Sequence, residues 1–220
     1  MPMIPHCFLA ASVLLGSGFA LAIWTLGRTL AAAWPLNLPA QFVTVGLCSV
    51  AATVAFGIIF TLGYGGYTHT LFLRALQAHG LPLHVLAGLG GWLTFTAMGV
   101  SHRLLAMFML SPELDGVPTR WTFRLGTLAL AIVIIAGPVA IAARGNPDLA
   151  LLIAGLISLA CLALYARDVV QLYRKRVRRV IELNSRMAGI ALAHLAAATL
   201  LTIALAALGL FGRYGGALVF

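Results

Sequence analysis

Six long apolar segments limit what this chain can fold into. Each approaches the ~20 residues that an α-helix needs to cross the hydrocarbon core of a bilayer. In lipid, only helices and closed barrels satisfy all of their backbone hydrogen bonds. The sequence therefore predicts an all-α, polytopic transmembrane helix bundle that forms a single domain over residues 1–220. The predicted spans cover about residues 7–26, 42–64, 83–110, 125–143, 149–166 and 187–211.

The composition excludes a soluble domain. The chain is 62% hydrophobic and 9% charged, with a mean hydropathy of +1.04, which leaves too few charges to cover a soluble surface. A net charge of +9 would suggest nucleic acid as the partner of a soluble protein, but here membrane topology accounts for it. We expect membrane lipid as a partner and no nucleic acid. Cys7, Cys48 and Cys161 show no CxxC spacing, so neither a disulfide framework nor a zinc site is predicted.

Lys and Arg residues gather on alternate connectors. Ten of the 14 fall after the first, third and fifth predicted spans, three fall on the other side, and Arg103 lies inside the third span. The positive-inside rule then places the N-terminus outside and the ten charges in the cytoplasm. The expected location is a bacterial inner (cytoplasmic) membrane. The apolar ending of RYGGALVF, residues 213–220, favours an N-terminal part of a longer chain.

Histidines inside the apolar segments are the main candidates for a functional site. His84 and His102 are 18 residues apart in the third predicted span, five helical turns, and so project from one face. His102 and His194 have matching depths, ~10–12 Å below the cytoplasmic surface. Intramembrane ionisable residues are costly, and neutral imidazole is a common ligand of haem iron and copper. Packing through hydrogen bonds is the alternative role for each of them.

Small residues and further histidines extend this candidate site. The small residues near His102 and His194 would leave room for a porphyrin plane, and they are Gly99, Ala188, Gly189 and Ala193. Three other histidines fall with His84 near the outer surface. These weaker candidates for a copper or haem site are His6, His69 and His79.

The acidic residues all fall in predicted connectors, and they are Glu113, Asp115, Asp148, Asp168 and Glu182. The predicted spans therefore hold no carboxylate relay, which argues against a pump or a proton-coupled carrier of the usual kind. No soluble-enzyme motif is present, and no inverted repeat is evident among the spans. Pro138 predicts a kink in the fourth span.

The segment LHVLAGLGGWLTFTAMGVSHRLLAMF, residues 83–108, resembles a known motif helix. It is similar to that of small membrane proteins akin to subunit I of haem-copper oxidases and, more distantly, of the NO-response haem-copper membrane family. The positions that fit are His84, Gly91, Trp92, Thr94, Thr96, Gly99, Val100, Leu104, Met107 and Phe108. The resemblance implies haem b, sometimes with copper, held between helices by histidines. The sequence departs from the pattern at Leu86, His102 and Ala106, where the family has His, Tyr and Pro.

These observations together predict a haem b-binding membrane protein of respiratory or nitrogen-oxide electron transfer, with copper as a further candidate metal. His84, His102 and His194 are its predicted cofactor and metal ligands, and no catalytic residue is assigned. One alternative is a non-enzymatic structural or assembly subunit, whose partners would be respiratory-complex subunits or further copies of the chain. A second alternative is a small-solute channel or carrier, which the lack of buried charge and of broken helices disfavours.

Overall fold

The computed structural model describes residues 4–67, 69–144, 146–178 and 183–210. Within these ranges every regular element is a helix, and six helices are long and apolar enough to cross a membrane. The predicted fold class and the number of spans are confirmed, whereas the orientation stays a prediction. The spans, numbered first to sixth, are Ile4–Ala32, Leu38–Tyr64, Leu81–Met109, Val117–Ala143, Asp148–Arg174 and Leu183–Ala207.

Most spans are longer than predicted at one end of the bundle. This end carries the connectors after the first, third and fifth spans, and we call it the basic end because most Lys and Arg residues lie there. The fourth span already begins at Val117, with Pro118 in its first turn, where a missing N–H costs no helical hydrogen bond. The fifth span continues to Arg174 instead of ending at 166. Beyond Arg174, residues 175–178 are not helical. Residues 179–182 lie outside the described residues, as does Phe211, the last residue of the sixth predicted span.

The third and fourth spans are not regular α-helices. The third is π-helical over Leu86–Phe95, and the fourth is π-helical over Ile132–Ala136. The second of these stretches comes immediately before Pro138, where the sequence predicts a kink. Because π-helical stretches are frequent at functional sites, both irregularities bear on what the bundle does.

A short helix, Leu71–His79, lies between the second and third spans. The side-chain oxygen of Thr70 accepts a hydrogen bond of 3.3 Å from the backbone N–H of Leu73 and so caps its N-terminus. The helix ends at Gly80, and the third span begins at the next residue.

Glycines bring the second and third spans very close together. A Cβ at Gly99 would collide with Phe42, and a Cβ at Gly91 would collide with Ser49. Small residues in the third span therefore admit a neighbouring helix, as is common in membranes. The fourth span packs on the fifth, and the fifth packs on the sixth. The first and sixth spans are mostly exposed and apolar, so they contact lipid.

Two apolar clusters surround the middle of the contact between the third and fifth spans. One comprises Phe42, Phe95, Met98, Leu130 and Cys161. The other, nearer the basic end, comprises Leu105, Ala106, Met109, Val169 and Leu172. His102 and Asp168 fall between them along their helices, so a polar pair is enclosed by apolar packing.

Candidate functional site: a buried histidine and aspartate

Three spans place one polar side chain each at a common point inside the bundle. His102 comes from the third span, Thr119 from the fourth and Asp168 from the fifth. Nε2 of His102 lies 3.6 Å from Oδ2 of Asp168, and the hydroxyl of Thr119 donates a hydrogen bond of 2.8 Å to the same Oδ2. The three residues are only 6%, 1% and 2% exposed, in the order His102, Thr119, Asp168. Buried polar atoms are costly unless they are paired, so the contacts among these three side chains matter.

The backbone fixes which nitrogen of His102 carries a hydrogen. Nδ1 lies 2.8 Å from the carbonyl oxygen of Met98, and a carbonyl can only accept, so Nδ1 is the donor. Nε2 therefore presents a lone pair whenever the ring is neutral. Among the described residues it is a buried atom without a hydrogen-bond partner, and it faces the Asp168 carboxylate. At 3.6 Å the two atoms are too far apart for a hydrogen bond, and a proton on Nε2 would make the contact an ion pair.

Aromatic rings enclose the imidazole of His102. Its centroid lies 5.7 Å from that of Phe42 and 5.4 Å from that of Tyr165, the latter edge to face. The hydroxyl of Tyr165 is itself bonded to the hydroxyl of Ser101 at 2.6 Å. In such apolar surroundings the electrostatic interaction between His102 and Asp168 is stronger than it would be in water.

The position of Asp168 corrects the prediction that every acidic residue lies in a connector. Asp168 is well inside the fifth span, because the helix continues past Arg167 to Arg174. A sequence signal for this exists: Cys161, Tyr165 and Leu172 share its face at helical spacing. Hydropathy alone ended the span at the first charged residue and so missed the buried carboxylate.

A polar cavity of about 500 Å³ opens at the basic end, with His102 in its wall. We call it the basic-end cavity. Five charged side chains line it: Arg103, Glu113, Asp115, Arg120 and Arg124. Arg120 Nε lies 3.3 Å from Asp115 Oδ1, whereas Arg103 Nε is 4.0 Å from Glu113 Oε1. The buried pair therefore borders a space that small polar molecules can enter.

A second cavity of about 300 Å³ is apolar and lies among the third to sixth spans. Leu89 and Gly90 of the first π-helical stretch and Val133 of the second contribute to its wall. As far as the structure describes it, this lining contains no histidine. The apolar cavity and the predicted haem ligands are thus separate features.

The other two main histidine candidates lie in different surroundings. His84 is half-buried, with Nδ1 3.0 Å from the carbonyl oxygen of Thr53 and its ring 5.5 Å from that of Phe60. His194 is exposed on the sixth span, and its Nδ1 lies 2.9 Å from the carbonyl oxygen of Ile190. In both residues it is Nδ1 that contacts a backbone carbonyl, which leaves Nε2 as the nitrogen for a ligand.

The space beside the small residues, which the sequence predicted for a porphyrin, is partly occupied by a side chain of the protein. Phe42 fills the side of the third span at Gly99, while a Cβ at Gly189 would meet nothing within 4 Å. Of the weaker candidates, His6 and His69 are exposed and His79 is half-buried. Among the described residues no group of three or more His, Cys, Asp or Glu side chains is arranged to hold a metal ion. Ligation of haem or copper by these histidines stays a prediction.

Comparison with protein-family models, with curated proteins and with solved structures finds no match to this chain. The six apolar helices define a multi-pass membrane protein. Its role has to be inferred from the geometry of its own residues.

Proposed function

We propose that the chain is a proton-coupled carrier of a small solute, in which His102 and Asp168 hold the coupling proton. The observation that carries this proposal is the 3.6 Å separation of Nε2 and Oδ2 inside a membrane bundle. Ionisable residues at such positions are expensive, face the bundle interior and mark proton or substrate pathways. A merely structural role would be served equally well by apolar side chains.

The sequence disfavours a carrier because it shows no buried charge and no broken helices, and two structural findings bear on these points. The spans do contain buried ionisable groups, since Asp168 is 2% exposed. They also contain irregular helix, in the π-helical stretches Leu86–Phe95 and Ile132–Ala136. π-helical stretches of this kind are frequent at functional sites.

Protonation of the pair supplies the coupling. With the proton present, imidazolium and carboxylate attract each other across the contact between the third and fifth spans. Without it, Nε2 and Oδ2 are two acceptors that face each other, and a different arrangement of the two spans is favoured. A solute that binds one arrangement better than the other shifts this equilibrium and is thereby linked to the proton. The basic-end cavity gives solute and proton access from one side.

Infrared spectroscopy tests the proton site directly. A pH-difference spectrum of the reconstituted protein should contain carboxyl and imidazole bands, and both Asp168→Asn and His102→Gln should remove them. Asp115→Asn is the matched control, because Asp115 is an exposed carboxylate at the same end. A spectrum that is identical in wild type and Asp168→Asn would exclude a proton on this pair.

Transport is tested in proteoliposomes that contain a pH-sensitive dye. Inward gradients of succinate, phosphate, alanine and glucose are imposed in turn, and we expect one of them to change the internal pH. Asp168→Asn should abolish this signal, while Arg28→Gln, at the same end but outside the cavity wall, keeps it. If none of the solutes moves protons although the infrared bands are present, the pair binds a proton without driving these solutes.

Haem b binding is the second candidate function, in respiratory or nitrogen-oxide electron transfer at a bacterial inner membrane. It is favoured by the bonding of Nδ1 in His84 and His194 to backbone carbonyls, since metal-ligating histidines commonly leave Nε2 for the metal in this way. The test is an oxidised-minus-reduced visible spectrum of the purified protein, with His84→Ala, His102→Ala and His194→Ala. A sharp α band that one variant loses would identify a ligand. A featureless spectrum together with co-purifying subunits would instead indicate a structural subunit.

A further inference from the structure

We infer that the basic-end cavity binds a small soluble oxyanion, a carboxylate or phosphate, through Arg124, as the solute of the carrier; this assignment of a solute class rests on the proposed function. The cavity is lined by three guanidinium groups and two carboxylates, so its wall carries one uncompensated positive charge. Its volume of about 500 Å³ lies within the usual range for small-molecule sites.

Arg124 is the uncompensated charge. Arg120 pairs with Asp115 and Arg103 pairs with Glu113, whereas Arg124 makes no ion pair within the described parts of the chain. Its guanidinium carbon instead lies 5.4 Å from the ring centroid of Trp121. Stacking of this kind holds the planar group in place and leaves its N–H donors for a bidentate oxyanion.

The two ion pairs at the cavity can open when an anion arrives. The side chains of Arg120 and Asp115 are 60% and 68% exposed, and the contact of Arg103 with Glu113 is 4.0 Å long. Exposed pairs are weakened by water, although Arg120 holds Asp115 through two long contacts of 3.3 and 3.4 Å. Arg120 can therefore exchange the Asp115 carboxylate for that of a solute at little cost.

His102 of the proposed proton site is part of the cavity wall, so an anion in the cavity lies close to that site. Among the described residues, the Asp168 carboxylate of the fifth span faces Nε2 of His102 and also accepts the Thr119 hydrogen bond. The Tyr165 ring of the same span packs edge to face on the imidazole, and its hydroxyl is bonded to Ser101. From the second span, the Phe42 ring packs against the imidazole, and Gln41 shares the cavity wall with His102. On the cavity side stand the five charged residues named above. A solute bound at this wall therefore lies next to His102, which gives a direct route for the linkage of anion and proton in the proposed function.

The test is direct binding to the full-length protein in detergent, without a gradient. Melting temperature is measured against succinate, inorganic phosphate and benzoate at constant ionic strength, with chloride as the reference salt. We expect a saturable rise in Tm for at least one of these anions, and an apparent Kd at least tenfold weaker in Arg124→Gln. Arg124→Lys should recover part of the affinity, because the charge is kept and the bidentate geometry is lost.

Arg28→Gln is the matched control. Arg28 also lies at the basic end over a tryptophan ring, 5.9 Å from the centroid of Trp24, but it is not part of the cavity wall. Its removal should change Kd by less than a factor of two. Equal losses in Arg28→Gln and Arg124→Gln, or no saturable rise in the wild type, would overturn the inference. Stabilisation by anionic phospholipid alone would overturn it as well and assign the cavity to lipid headgroups.

The failure of this inference is distinguishable from that of the proposed function. Infrared bands of the pair together with no anion binding would refute the oxyanion site and leave the proton site standing. Anion binding that is the same in wild type and Asp168→Asn at every pH would refute the coupling and leave the oxyanion site standing.

Discussion

Nε2 of His102 lies 3.6 Å from Oδ2 of Asp168, across the contact between two membrane spans that are distant in sequence. Thr119 of a third span donates to the same carboxylate oxygen. The imidazole of His102 packs against the rings of Phe42 and Tyr165, and His102 forms part of the wall of a polar cavity. Ionisable residues buried inside a membrane bundle are costly, and the proposed proton site rests on this pair.

Removal of one partner of the buried pair should be strongly destabilising. In Asp168→Ala, Nε2 of His102 and the hydroxyl of Thr119 lose their acceptor inside the bundle, and we expect a cost of about 3–5 kcal/mol. Asp115→Ala, which removes an exposed partner of Arg120, should cost only ~0–1 kcal/mol. Equilibrium unfolding in mixed detergent micelles measures both.

A double-mutant cycle isolates the interaction itself. Asp168→Asn and His102→Gln, singly and combined, should give a coupling energy of about 0.5–3 kcal/mol. Strict additivity would mean that the two side chains are neighbours without interacting.

The close contact of the second and third spans depends on Gly99. A Cβ there would collide with Phe42, so Gly99→Ala should destabilise the bundle by about 1–3 kcal/mol through overpacking. Gly90→Ala is the control on the same span, because a Cβ at Gly90 meets nothing within 4 Å. Thermal unfolding in one detergent compares them, and equal stability of the two variants would contradict the close contact.

Leu110, which directly follows the third span, has an unfavourable backbone conformation. Leu110 has φ 51° and ψ 44°, the left-handed region, which costs an L-residue ~1–2 kcal/mol. Leu110→Gly should therefore stabilise the protein by about 0.5–1 kcal/mol, since glycine adopts this conformation freely. Leu104→Gly, at another exposed leucine but inside the helix, should destabilise it by ~1 kcal/mol. A drop in Tm for both variants would refute the role of the backbone at Leu110.

The distribution of Lys and Arg predicts that the basic end faces the cytoplasm. In a variant without Cys7, Cys48 and Cys161, a cysteine at Asp115 should react with a membrane-impermeant maleimide only after the cells are permeabilised. A cysteine at Tyr67, exposed at the opposite end, should react in intact cells. The reverse pattern would invert the orientation.

The number of the spans and their approximate places follow from the sequence alone. Lipid offers no hydrogen bonds to the backbone, so a single apolar segment of this length satisfies its own backbone groups as a helix. Hydropathy can therefore locate each span from its own residues. The ends of the spans were less predictable. Arg167 marked the end of the fifth span by hydropathy, yet the helix continues to Arg174 because side chains from neighbouring helices cover its inner face.

His102 was identifiable as a candidate from its depth, but its partner was not. Whether Asp168 faces lipid, water or another helix depends on which helices pack around it, and no single segment carries that information. The same holds for Gly99, whose free space the sequence left open to a flat ligand and which Phe42 occupies. The sequence determined that this chain is a membrane bundle with a costly histidine inside it, because the energetics of lipid act on each segment separately. Only the tertiary structure decided that the histidine meets a carboxylate beside a polar cavity, because packing between segments places the two groups together.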